Sequence, residues 1–211
     1  MNINTYILVG SGRLEPFTEK IKQKTDDSIA KISSKIPLSN LDIIIRDNPE
    51  AAIPEIGIGG YTPDGHTVFV NLNPEFRNIE KSINKELGRT LAHEINHAMR
   101  WRNPGYGKTL LEALVTEGLA DHFDLEINGG DPEPWSVALN EEQINQLMEK
   151  AKKEFNAKNY DHRSWFFGSS DEGIPRWAGY SLGFRLVADY LQKNKDKKPS
   201  VIYMIKAEEF I

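Results

Sequence analysis

The sequence predicts an α+β protein in which a small mixed β-sheet precedes a mostly helical part. Short segments rich in β-branched residues, separated by glycine and proline turns, occur before about residue 75. From residue 73 onward, apolar side chains recur with the period of helices. The chain has 211 residues, of which 39% are hydrophobic and 27% charged, which is enough for one well-buried core. We therefore predict one domain over residues 1–211, with a sheet-containing part (1–75) and a mostly helical part (76–211).

Two strands and one helix are predicted at the start of the chain. Residues 5–9 predict a short strand that a Gly-Ser-Gly turn closes. A polar helix is predicted from about Pro16, a residue favoured in a first turn, to about Lys35. Residues 41–45 are rich in β-branched side chains and predict a second strand.

A third strand is predicted just before the helical part. The stretch 48–60 is rich in proline and glycine and is predicted to be irregular, and residues 61–66 to form a tight turn. Residues 67–71 then alternate between two faces, which predicts a strand.

The segment 87–98, with the sequence LGRTLAHEINHA, is the most informative part of the chain. On a helix that turns about 100° per residue, His93, Glu94 and His97 share one face, beside an apolar stripe. Two imidazoles one turn apart can bind one metal ion, and the carboxylate beside them can reach a water molecule at the metal. Since the chain has only five histidines, a chance match to this pattern is improbable. A predicted solvent-facing stripe lies on the opposite side: Lys85, Arg89, Asn96 and Arg100.

The composition narrows the identity of the metal. The chain contains no cysteine, so a transition metal must be held by His, Asp and Glu side chains. Zinc accepts imidazole and carboxylate ligands in tetrahedral geometry, and we predict Zn2+ as the cofactor.

A second informative helix is predicted after Thr109. Thr109 and Glu112 fit a capping box, and the helix should run to about Ile127, before a glycine pair. Glu117 and Asp121 lie one turn apart on a face that also carries leucines. Two carboxylates placed together among apolar side chains repel each other and lose hydration, and a bound dication removes both costs.

Together these residues resemble a known class of enzymes. HEINH at 93–97, followed by EGLAD at 117–121, resembles the HExxH…ExxxD pattern of gluzincin-type zinc metallopeptidases, with the thermolysin-like gap of 20 positions. The segments 110–121 and 177–183 are similar to an uncharacterised bacterial family of predicted Zn-dependent proteases. The resemblance implies a zincin-like fold, with the sheet packed on the HExxH active-site helix.

The resemblance also implies roles for the site residues. Glu117 would be the third zinc ligand beside His93 and His97, and Asp121 would hold the ring N–H of His93. The reaction would be peptide-bond hydrolysis by a metal-activated water, with Glu94 as general base and then as proton donor to the leaving amine.

Hydrolysis also needs a hydrogen-bond donor for the oxyanion that develops on the substrate carbonyl, and the sequence defines this residue less clearly. Tyr180 is the leading candidate, in a helix predicted to begin near Pro175. A half-buried core aromatic is an equal interpretation of Tyr180. His162 and Arg176 are the other candidates, although a solvated loop histidine is the default interpretation of His162 and a surface ion pair that of Arg176.

A peptide or protein substrate is the expected partner. In zincins an extended substrate pairs with an edge strand near the metal helix, and residues 67–71 occupy the corresponding place before the helix. An internal strand is the alternative interpretation of this segment. Two other functions remain open, a zinc hydrolase of a non-peptide amide and a non-enzymatic metal-stabilised binding protein. Glu94 argues against the second, because a structural metal site needs no base.

Other partners are not expected. The net charge of −5 argues against nucleic acid. No segment is long and apolar enough for a membrane span or a signal peptide, so a cytoplasmic location is expected. The sequence makes no prediction about the oligomeric state.

Overall fold

The computed structural model describes residues 2–211 and has an α+β fold. Contacts group the chain into two compact units, one extending to Trp101 and the other from Arg102 to Ile211. The prediction of one domain over the whole chain stays a prediction.

The first unit contains a four-stranded mixed sheet with the order β1-β2-β4-β3. The first three strands in this order are parallel, and β3 is antiparallel to β4. The strands are β1 (Ile3–Leu8), β2 (Leu41–Asp47), β3 (Ile58–Tyr61) and β4 (Thr67–Leu72).

The three predicted strands are confirmed with small shifts at their ends. The interpretation of residues 67–71 as an edge strand is wrong, because β4 pairs with β2 on one side and with β3 on the other. The edge beside β4 is β3, which lies in the stretch predicted to be irregular. Two of its four residues are glycine, and their low strand propensity hid it. The strand is stabilised by its main-chain hydrogen bonds to β4 and not by the strand propensity of its own residues.

Three helices complete the first unit: α1 (Thr18–Ser33), α2 (Ile79–Lys85) and α3 (Leu87–Arg102). Helix α1 joins β1 to β2, which are parallel, and buries Ile21 and Ile32. The core of this unit also takes apolar side chains from β2, β4 and α3.

Helix α3 contains the HExxH segment and differs from its prediction in one respect. Lys85, the last residue of α2, is exposed and Arg89 is partly exposed, but Asn96 and Arg100 are buried. A single solvent-facing stripe is expected of a helix that covers a surface, whereas α3 is buried on most sides from Leu91 onward.

The second unit is helical. Its helices are α4 (Leu110–Asn128), α5 (Glu141–Glu154), α6 (His162–Phe167), α7 (Ala178–Lys193) and α8 (Pro199–Ile202). The capping box of Thr109 and Glu112 is present at the start of α4, and Gly129 follows its end with a φ of 66°. Helix α7 begins three residues after Pro175, so the predicted start is slightly early.

Helices α4 and α7 approach each other through two glycines. A Cβ on Gly118 would overlap the main chain at Gly183, and a Cβ on Gly183 would overlap the carbonyl of Leu114. This contact fixes the side of α4 that faces α7. Among residues 2–211, no helix is both long and apolar enough to cross a bilayer.

Candidate metal centre

The HExxH residues converge on one side of α3. The rings of His93 and His97 have centroids 4.5 Å apart and lie nearly at right angles, at 87°. One ligand atom each of His93, Glu94 and His97 can be chosen so that all three lie within 4.8 Å of one another. His93 is partly exposed, whereas Glu94 and His97 are buried. The spacing of one helical turn therefore brings together the residues that the sequence groups.

This donor set fits zinc. Two imidazole nitrogens are ligands that zinc accepts, and the Glu94 carboxylate lies close enough to both rings to reach a water molecule at the same ion. No other group of this kind is present among residues 2–211.

The side chain of Glu94 is held from the end of β3. The Thr62 hydroxyl lies 2.7 Å from Oε2 of Glu94 and 3.0 Å from its main-chain oxygen. A Cβ on Gly60 would overlap the Glu94 side chain, so only glycine fits there without a shift. The indole N–H of Trp101 donates a hydrogen bond of 3.2 Å to the Thr62 carbonyl. Glu94 is thus confined by neighbours that are distant in sequence.

Glu117 is buried on α4 in the second unit. The Tyr106 hydroxyl donates a hydrogen bond to Oε1 of Glu117 at 3.2 Å. Burial raises the pKa of Tyr160 to about 12, and the charges of Glu117 and Glu112 add to that shift. The Glu117 carboxylate is therefore hydrogen-bonded to Tyr106, and its charge acts on Tyr160.

The charge of Glu117 also acts on His162. Desolvation lowers the pKa of His162, while the charges of Glu117 and Asp161 oppose that shift. The His162 ring stacks on Phe166 at 4.4 Å, and its Nδ1 lies 3.1 Å from the Tyr160 hydroxyl. The ring is thus in fixed contacts although the residue as a whole is exposed.

Asp121 is buried one turn after Glu117. It accepts a hydrogen bond of 2.7 Å from the Ser136 hydroxyl and one of 3.3 Å from the Trp135 indole. The next residue, His122, points elsewhere. Its Nε2 atom is 3.0 Å from the carbonyl oxygen of Phe184, and its ring stacks on the Phe184 ring. The His122 side chain is therefore held by Phe184.

Two candidates for the oxyanion donor lie around the start of α7. Tyr180 is half-buried, with its ring edge-on to Phe166 at 5.0 Å and packed against the apolar core of the second unit. Arg176 is exposed, and its guanidinium lies over the Trp177 ring at 4.1 Å. The roles of Tyr180, Arg176 and His162 stay predictions.

The sequence did not reveal the residues that hold the carboxylates. Thr62, Gly60, Tyr106 and Ser136 lie outside every motif, and each contact depends on chain folding. Proximity in sequence was the only available signal for Tyr106, which precedes α4 by four positions.

Comparison with known families adds one finding. A family model described as "Predicted Zn-dependent protease (DUF2268)" matches residues 8–211. A search of curated proteins found no match.

Proposed function

Because the chain belongs to the DUF2268 family of predicted Zn-dependent proteases, we propose that it is a zinc metallopeptidase with a zincin-like fold and Glu94 as its general base. The observation that carries the proposal is the convergence of His93, Glu94 and His97 on one side of α3. The family supports zinc-dependent proteolysis, and the donor set supports the metal.

Three side chains would hold the zinc ion: His93, His97 and Glu117. The first two share one helix face, and the third is proposed from the gluzincin spacing between HEINH and EGLAD. Glu117 is a buried carboxylate, and such a group is stabilised by a cation. Asp121 would fix the orientation of the His93 ring, in line with the role of carboxylates beside metal-bound imidazoles.

When bound, zinc supplies Lewis acidity that polarises the substrate carbonyl and makes water a stronger acid. Glu94 takes a proton from the attacking water, whose oxygen bonds to the carbonyl carbon. Glu94 then gives that proton to the nitrogen of the scissile bond as the C–N bond breaks. The products are a carboxylic acid and an amine, and Glu94 returns to its starting state.

Tyr180 is our proposed donor to the oxyanion. Its phenol can donate one hydrogen bond to a developing negative charge. Its ring is fixed by the edge-on contact with Phe166, so the hydroxyl is held by packing rather than by a mobile loop.

The edge strand β3 is our proposed binding surface for an extended peptide. One side of β3 pairs with β4. On the other side, the N–H of Ile53 donates to the carbonyl of Ile58, so a further strand would pair with the part of this edge at Gly60 and Tyr61. Gly60 of β3 touches the Glu94 side chain, so a peptide paired with this strand would pass beside the base.

The test is Glu94→Gln with a mixed peptide library as substrate. Glutamine keeps the size of the side chain and an oxygen acceptor for Thr62, but it cannot take up the proton. Cleavage should fall by about 10²–10⁴-fold, as is typical for loss of a general base. Zinc content and thermal stability should stay near wild type.

The outcomes separate the functions. Equal cleavage by the two proteins would show that Glu94 is not the base. Cleavage of small amides but of no peptide by the wild type would indicate a non-peptide hydrolase instead. Glu80→Gln, a change at an exposed glutamate of α2, is the matched control and should cleave as the wild type does.

A further inference from the structure

The segment from Gly60 to Thr62 encloses the Glu94 side chain from two directions. We propose that Thr62 and Gly60 are positioning residues that set the place of the Glu94 carboxylate for proton transfer. This inference rests on the proposed function of Glu94, and it adds two residues from outside the HExxH helix.

The first restraint is the hydroxyl of Thr62. It is buried, with 6% of the residue exposed, and it lies 2.7 Å from Oε2 of Glu94. A hydroxyl has one proton and donates to one acceptor at a time. The main-chain oxygen of Glu94 is at 3.0 Å, so the same hydroxyl spans the side chain and the backbone of one residue. It thereby restricts the torsions between them.

The second restraint is the absence of a side chain at residue 60. A Cβ there would overlap Cγ, Cδ and Oε1 of Glu94, which lie along the end of the glutamate. The hydrogen bond to Thr62 holds Oε2, while the surface of Gly60 faces Oε1. Together they define the position and the plane of the carboxylate.

The segment is itself fixed to α3. Trp101 donates to the carbonyl of Thr62, and Trp101 follows Glu94 by seven positions, which is two helical turns. Residue 62 therefore makes contacts with α3 at two points along the helix. This anchoring prevents Thr62 from moving with an otherwise irregular loop.

The physical need is a short and well-aligned proton transfer. A glutamate has three side-chain torsions, and a free one samples many positions. A displacement of about 1 Å at a catalytic group can cost about 10²-fold in rate. Functional groups are held to within about 0.5 Å by the contacts of surrounding residues, and Thr62 and Gly60 are those contacts here.

The first experiment compares Thr62→Val and Thr62→Ser in the zinc-loaded protein. Valine keeps the shape and removes the hydroxyl, so kcat should fall by about 10- to 100-fold with KM and zinc content unchanged. Serine restores the hydroxyl and should recover most of the rate. Thr25→Val is the matched control, because Thr25 is also buried and its hydroxyl also bonds a carbonyl, that of Ile21. It should leave kcat unchanged.

The second experiment uses Gly60→Ala, and Gly10→Ala as its control, since no atom lies within 4 Å of a Cβ built on Gly10. Crystal structures should show the Glu94 carboxylate displaced in Gly60→Ala and in Thr62→Val, but not in Thr62→Ser or Gly10→Ala. This measurement does not require enzymatic activity. If Thr62→Val does not fold, the structure of Gly60→Ala alone shows whether the segment 60–62 sets the position of the Glu94 carboxylate.

The results distinguish the two proposals. The positioning role would be overturned if Thr62→Val kept the wild-type kcat. It would also be overturned if the Glu94 carboxylate kept its wild-type position in both Thr62→Val and Gly60→Ala. A wild type that cleaves no substrate would overturn the proposed function, while the crystal structures would still decide whether Thr62 and Gly60 place Glu94.

Discussion

At the scale of residues, the three carboxylates of the proposed site share one property. Glu94, Glu117 and Asp121 are all buried, and each accepts a hydrogen bond from a side chain outside the motif. A buried carboxylate is costly unless hydrogen bonds or a cation compensate for its lost hydration. The motif supplies the acidic groups, and the fold supplies their donors.

The roles of the two carboxylates on α4 can be separated by zinc affinity. Asp121→Asn should weaken zinc binding by about 10- to 100-fold, because it alters a group that orients a ligand. Glu117→Ala should weaken it by more, because it removes a ligand. Competition with a chromogenic chelator measures both. Asp124→Asn, a change at another buried aspartate of α4, is the control. Equal and negligible effects of the first two changes would exclude both residues from the metal site.

The grouping of His93, Glu94 and His97 could be predicted because it depends only on helical geometry. The contact between Thr62 and Glu94 could not, since it joins residues 32 positions apart. The spacing of HEINH and EGLAD suggests the three zinc ligands because it resembles the gluzincin pattern. The position of Tyr180 relative to a substrate depends on tertiary packing, and no local sequence pattern predicts it.

At the scale of elements, the packing of α4 on α7 depends on residues without side chains. Gly179 and Gly183 lie about one turn apart on α7. The structure places Gly183 against the main chain of α4 and Gly179 against the ring of Phe166. The partner of Gly183, Gly118, lies inside the EGLAD segment, so the helix that carries Glu117 is in direct main-chain contact with α7.

Gly183→Ala tests this contact through stability. In an unobstructed helix the change should stabilise by about 1 kcal/mol, since alanine is the better helix former. Here the new methyl group meets the carbonyl of Leu114, which is main chain and cannot rotate away, so the free energy of unfolding should fall by about 1–3 kcal/mol. Urea denaturation measures it. A stability equal to or above that of the wild type would contradict the close approach.

The ends of helix α4 could be predicted from the sequence, whereas strand β3 could not. The capping box at Thr109 and the glycine after α4 were visible because caps are local. Strand β3 was not visible, and neither was its place at the sheet edge. Its residues pair with β4, which follows in the chain, so its order comes from a tertiary contact and not from strand propensity.

At the scale of the whole molecule, the predicted order of a sheet followed by helices is correct. The family match over residues 8–211 begins at the last residue of β1 and covers β2, β3 and β4, the HEINH helix and all of the second unit. Composition and periodicity therefore gave the fold class, and the motifs gave the family. The boundary between the two compact units falls after Trp101, because α3 is grouped with the sheet-containing unit almost to its end.

The central claim is that α3 carries a zinc site, and metal analysis of protein purified without chelators tests it most directly. About one zinc per chain is expected for the wild type. His93→Ala and His97→Ala should each lose most of the metal, while His66→Ala, a change at an exposed loop histidine, should keep it. A wild type that contains no zinc and takes up none on addition would contradict the account.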